Sequence, residues 1–356
     1  MTRADLWSPA VAAHAMPPHW KSLFAPRPLY FLDSPGFADN FGHFLVEHVM
    51  SALAAAEAFG FDMAWTAQQA QLLLVHRCSL PGMLAGRRRR DVCRFHYERT
   101  LTAWMDAPVR YLEDEAPTDT ALCFDRLITG HVSAFSLKYQ YPRGWVLRRF
   151  RDLSYARLLP PLPHPQAADR PDEPARTEIV VVSKDAGYAL TSVHWANGCA
   201  HTHAALASLR FGHARQGSEA RVTCVGNIGS MSVREQISLM ASAHVILTEQ
   251  GTTSYSSVFG RDGVAVIVVG RPPMKEAQIL LQATHLQVLY HAVDQRGIHE
   301  EAEHGERGHA SGVGSGGGGS SSDGGLPRML MLALNLAAPA FALPRASMRQ
   351  VSNTAR

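Results

Sequence analysis

The chain has 356 residues, 46% of them hydrophobic and 18% charged, with a formal net charge of +3. That length accommodates two domains with separate cores, and the composition argues against a disordered or fibrous chain. The small net charge argues against an electrostatic nucleic-acid binder. Five cysteines (Cys78, Cys93, Cys123, Cys199 and Cys224) stand apart with no CxxC pair, which speaks against a zinc module and leaves disulfide pairing open.

The opening MTRADLWSPAVAAHAMPPHW is too poor in hydrophobes and too rich in proline for a signal peptide or anchor. In the first half, PLYFLD (28–33), QLLLVH (71–76) and ALCFDRLITG (121–130) predict strands. Between the first two, DNFGHFLVEHVM (39–50) predicts a helix with Asp39 as N-cap. At ~100° per residue, Asn40, His43, Glu47 and Ser51 form one polar stripe, opposite an apolar side of Leu45, Val49, Ala52, Leu53 and Ala56. His48 falls about 100° from Glu47, off the stripe. His43 and Glu47 can therefore address one object, as an acid–base pair or as a solvated polar stripe.

The spacing of His43, Glu47 and His48 misses both the HExxH and the HxxEH zinc patterns, so no metal site is expected there. His194, His201 and His203 mark no recognisable metal spacing either. Arg87 to Arg90 predict a solvated turn ahead of another helix, with a polyanion-binding or localisation patch as the alternative.

The stretch LPPLPHPQAADRPDEP (159–174) has the composition of an interdomain linker. Beyond it, EIVVVS (178–183) and HVILTEQ (244–250) predict strands buried on both faces, and VREQISLMASA (233–243) has helical spacing. The turn TEQGTTSYSS (248–257) predicts a helix start and leads to the strand VAVIVVG (264–270). This order forms a βαβ unit and predicts an α/β fold with a parallel sheet. Ligands of such sheets bind beyond the carboxyl ends of the strands, where helix N-termini offer N–H groups to anions. Candidate phosphate ligands are therefore Ser183, Lys184, Gly251, Thr252, Thr253 and Ser254, with Glu249 and Gln250 as further donor-binding candidates at the same turn. Against this stands the reading that the hydroxyls merely cap a helix.

The Gly/Ser-rich stretch 300–325 predicts disorder. The apolar LPRMLMLALNLAAPAFALP (326–344) is shorter than the ~20 residues of a membrane span, and predicts a core element.

Four of these stretches, in this order, resemble glycosyltransferase family 61, the DUF563 or capsular-polysaccharide-type glycosyltransferases. DNFGHFLVEHVMSAL resembles the family's helix motif, onto which Asn40, His43 and Glu47 fall. CFDRLITG with RRFRDLSYARL is similar to the mid-domain segment, and VVVSKDAG occupies the place of a strand ending in Ser-Arg. SVREQISLMASAHVILTEQGTTSYSSVFGRDGVAVIVV resembles the most recognisable region. Lys184 stands where the family prefers Arg, and Thr253 where it has a second turn glycine.

The resemblance implies a GT-B-like fold of two Rossmann-like parallel-sheet domains facing a cleft. An acceptor-side domain would span 1–158, a linker 159–176 and a donor-binding domain 177–299. A disordered insert (300–325) and a tail (326–356) packing back on the fold would follow. It implies inverting transfer of N-acetylglucosamine or a pentose from a nucleotide-sugar donor, UDP-linked, to a hydroxyl of a glycan or glycoprotein acceptor. Glu47 and His43 would be catalytic, Asn40 would position substrate, no metal would be required, and the setting would be the Golgi or secretory lumen. The rival expectation is a catalytically inactive relative that binds carbohydrate or protein.

Overall fold

The computed structural model describes residues 21–34, 38–75, 78, 87–115, 120–129, 144–160, 177–183, 198–212, 220–226, 228–270, 277–292 and 325–342. Lys184, most of the predicted linker and nearly all of the Gly/Ser-rich insert lie outside the described residues. The molecule is α/β and divides into two compact units, one holding residues 1–162 and the other most of the remainder.

In the first unit, β2 (Leu29–Asp33), β3 (Ala70–Leu74), β4 (Arg110–Tyr111) and β6 (Leu127–Thr129) form a parallel sheet in the order β4-β3-β2-β6. Every residue of β2 and β3 is buried, as their continuous apolar runs require of central parallel strands. The predicted strand 121–130 is instead two pieces, because the chain bends at residues 124–126. The first piece, β5 (Thr120–Cys123), pairs in parallel with β1 (Lys21–Phe24). Pro26 and Pro28 lie between β1 and β2; lacking N–H groups, they break the ladder there.

Helix α1 (Phe41–Ala58) follows β2, and α2 (Met63–Gln69) leads into β3. The N-cap of α1 is Asn40, whose Oδ1 accepts the Gly42 N–H at 3.0 Å. Asp39 had been the expected cap, but the guanidinium of Arg89 holds its carboxylate at 2.5 Å, so the helix begins one residue later. Arg87 to Arg90 are not a turn: they open α3 (Arg87–Phe95), which continues through the π-wound His96–Thr100. Helix α4 (Trp145–Leu158) packs on this segment through Trp104, whose indole N–H reaches Ser154 Oγ at 2.8 Å.

In the second unit, β7 (Thr177–Val182), β8 (Ala220–Val225), β9 (Val245–Glu249), β10 (Val264–Gly270) and β11 (Leu286–Ala292) form one parallel sheet ordered β11-β10-β9-β7-β8. On one face, Ile179, Val181, Val245, Leu247, Ile267 and Val269 pack against α5 (Gly198–Gly212) and a C-terminal helix, Gly325–Ala342. That last helix takes up most of the predicted apolar run and covers the sheet through Leu326, Leu330 and Ala333. The alternate residues Val180, Val182, Ile246, Val266 and Val268 are equally buried, so both faces are covered.

Helix α6 (Val233–Ser242) enters β9. It starts with a reciprocal cap between Ser232 and Glu235, so the Ser-x-x-Glu spacing has a purely local use. Among the described residues, no single helix is long and apolar enough to cross a membrane.

Candidate functional site

Both sheets place ligand positions by topology. Taken in chain order within each unit, the first sheet has strand order 3-2-1-4 and the second 2-1-3-4-5. In doubly wound sheets of either kind a crevice opens at the carboxyl ends where the order reverses. That point lies between β2 and β6 in the first unit, and between β7 and β9 in the second.

Asp33 is the last residue of β2, at the first of these points, and is buried. Its Oδ1 accepts the Ser34 N–H at 2.7 Å, while Oδ2 lies 2.7 Å from His48 Nδ1 and accepts the Tyr97 hydroxyl at 3.1 Å. Burial, then the Asp33 charge, pushes the Tyr97 phenol well above its ordinary range, so it stays a donor.

Two π-wound segments deliver these groups. Helix α1 is π-helical over Phe44–Met50, and α3 over His96–Thr100. Such wider turns carry i→i+5 bonding and recur at functional sites. Phe44 stacks on His96 with centroids 5.0 Å apart and meets Tyr97 edge-on at 5.3 Å; His48 also meets Tyr97 edge-on, at 5.7 Å. His96 donates from Nδ1 to the Ala38 carbonyl, and burial holds its pKa below the usual imidazole range.

The same π segment carries the predicted pair. His43 Nδ1 lies 2.7 Å from Glu47 Oε1; the His43 side chain is 18% exposed and that of Glu47 only 5%. Glu47 thus stands behind the imidazole and His43 is the outer member. Of the two alternatives, the solvated stripe does not describe Glu47 and Ser51. Glu47 and Ser51 are both buried, with Ser51 Oγ donating to the Val46 carbonyl five residues back. His48, placed off the His43–Glu47 stripe by the 100° wheel, indeed takes a different partner, the Asp33 carboxylate at the end of β2. Asn40 is exposed, and its side-chain oxygen is engaged in the cap.

Asp33, His96 and Tyr97 carried no motif. The usable signal was an acid closing a buried strand directly ahead of the helix, at the carboxyl end where parallel sheets bind ligands.

In the second unit, Ser183 follows β7, and its N–H donates to the Val225 carbonyl at 3.0 Å. Across the reversal point, β9 ends at Glu249, followed by Gln250 and Gly251. Gly251 has φ 113 and ψ −166, a conformation open essentially to glycine alone. The segment Thr252–Phe259 is a 3-10 helix rather than the α-helix expected. The Ser254 N–H and Oγ both turn back to the Gly251 carbonyl, at 3.0 and 2.7 Å, which tightens the turn and removes that hydroxyl from the ligand set.

Glu249 is fully buried. Gln250 lies over the end of β10, where a β-carbon on Gly270 would come within 2.4 Å of its side chain. Thr253 is half-buried; the side chain of Thr252, like all of Lys184, lies outside the described residues. The structure thus brings Ser183, Gln250, Gly251 and Thr253 to one reversal point, and His43 with Glu47 to the helix behind the other. Comparison with models of known families and with curated proteins found no match.

Proposed function

We propose that the chain is an inverting glycosyltransferase of GT-B arrangement. It would move N-acetylglucosamine or a pentose from a nucleotide diphosphate to a hydroxyl of a protein or polysaccharide. The observation that carries this reading is the His43–Glu47 pair. A buried carboxylate engaging Nδ1 of a partly exposed imidazole fixes the ring so that Nε2 can accept a proton, the geometry of an oriented general base.

In the proposed reaction His43 takes the proton of the acceptor hydroxyl. The oxygen then attacks the anomeric carbon in a single displacement, the bond to the diphosphate breaks, and configuration inverts. The leaving diphosphate would lie at the reversal point of the second sheet. There the N–H groups beyond Gly251, with Ser183 and Lys184, offset the charge that develops. Asn40 acts indirectly, by starting the helix that carries His43. The disulfides Cys78–Cys93 and Cys199–Cys224 fit an oxidising compartment, in keeping with a secretory or Golgi setting.

The reading is tested by screening nucleotide sugars for thermal shift and then for sugar transfer. His43→Ala is expected to lower transfer at least ~100-fold while the donor-induced shift persists. If no nucleotide sugar binds, the reading fails. Binding without turnover, unaltered by Glu47→Gln, would instead favour a non-catalytic carbohydrate- or protein-binding relative. The inward-turned Ser254 hydroxyl favours that rival.

A further inference from the structure

A second cluster of chemically competent side chains lies at the edge of the second sheet, apart from the site just described. Cys199 and His203 are four residues apart on α5, hence one above the other on a single helical face. Cys224 faces them from β8, the outermost strand of the sheet. The two sulfurs and an imidazole nitrogen all lie within 4.8 Å of one another. Cys224 and His203 are exposed and Cys199 is half-buried. In the structure the two cysteines form a disulfide with Cα atoms 5.9 Å apart.

A disulfide needs no imidazole, so the third donor points to a different use. We propose that Cys199, His203 and Cys224 form a redox-gated site for Zn²⁺ or a similar thiophilic divalent ion, closed by the disulfide and opened by its reduction. Bonds of ~2.3 Å from zinc to sulfur at tetrahedral angles place two sulfurs about 3.8 Å apart, a separation they can take only after the S–S bond opens, with the imidazole nitrogen already within 4.8 Å of both. Only side-chain rotation is then needed once the S–S bond opens. Exposure on the solvent side leaves the fourth position to water, and Cys₂His with one open position is a donor set that zinc accepts.

The chemistry balances with an external dithiol or phosphine as reductant. A dithiol passes two electrons to the S–S bond and becomes a disulfide itself, leaving Cys199 and Cys224 as thiols. Each thiol gives up its proton on binding the ion. Exposed disulfides are the exchangeable ones. The other bridge differs in this respect, since Cys78 and Cys93 are both fully buried. Mild reduction under native conditions therefore addresses Cys199–Cys224 first.

The test titrates native protein, before and after mild phosphine reduction, with Co²⁺ and then Zn²⁺, following the thiolate-to-cobalt absorption and competition with a chromophoric chelator. The reduced protein is expected to take up one ion per chain and the oxidised protein none. His203→Ala, a change at an exposed helix position, is expected to weaken binding at least tenfold, and Cys224→Ser to abolish it. No uptake after reduction would overturn the proposal. So would equal uptake by the oxidised protein, or wild-type affinity in His203→Ala. None of these readouts depends on glycosyl transfer.

Discussion

His244 stands just ahead of β9, where its Nδ1 accepts the N–H of Glu178 at 3.0 Å. That bond needs the unprotonated nitrogen. Burial, then the charge of Arg261, lowers its pKa to about 4 from 6.5. The unfolded chain therefore binds a proton below about pH 6.5 that the folded protein refuses until about pH 4. Stability from this residue is complete above 6.5 and falls as the pH drops through that window. His96 and His291, also lowered by burial, act in the same direction. His244→Asn keeps an acceptor for the Glu178 N–H but cannot titrate. In urea unfolding at pH 7 and at about pH 4.5, the variant is expected to lose less stability than wild type between the two conditions. Equal losses would show that His244 does not drive the acid limb. Nothing in the sequence around ASAHVIL marks this histidine as half-buried and accepting; the strand was legible, but the partner bond comes from β7.

At the scale of elements, the buried strands were legible because burial on both faces leaves continuous apolar runs, as in LYFLD, VILTE and VAVIVVG. The turn at Gly251 was legible for a related reason: a glycine after such a run marks a backbone that no other residue adopts well. The winding of α1 was not. A π turn has no composition of its own, and although the 100° wheel rightly set His48 apart from His43 and Glu47, it gave no sign of the tertiary partner Asp33. The pairing of Cys78 with Cys93 was equally hidden, since spacing alone does not select partners.

That bridge closes a loop with a sequence separation of 15 and ties the chain after β3 to the helix presenting His96 and Tyr97. By the chain-entropy account, such a loop is worth about 3 kcal/mol. The double variant Cys78→Ser, Cys93→Ser should lower the unfolding free energy of the oxidised protein by about that amount in denaturant titrations. A loss below roughly 0.5 kcal/mol would show that neighbouring contacts alone hold this segment.

For the whole molecule, the division into two compact units makes the proposed chemistry separable. The base candidate, His43 with Glu47, belongs to the first unit, and the candidate diphosphate turn at Gly251 to the second. Gly251→Ala forces a β-carbon into a conformation costing of order 1–3 kcal/mol, which the turn relieves by changing shape. This variant is expected to lose the thermal shift given by a nucleoside diphosphate while its first sheet stays folded. A ligand at a hundredfold excess over its Kd stabilises the folded state by about 2.7 kcal/mol, so loss of that shift is measurable without any turnover assay. His43→Ala, by contrast, is expected to keep the full shift and lose transfer. The two phenotypes must therefore cross: binding without transfer in one variant, and neither in the other. If His43→Ala also abolished the nucleotide shift, the assignment of donor binding to the second unit would be wrong. If Gly251→Ala kept it, the turn at the reversal point would not be where the diphosphate sits.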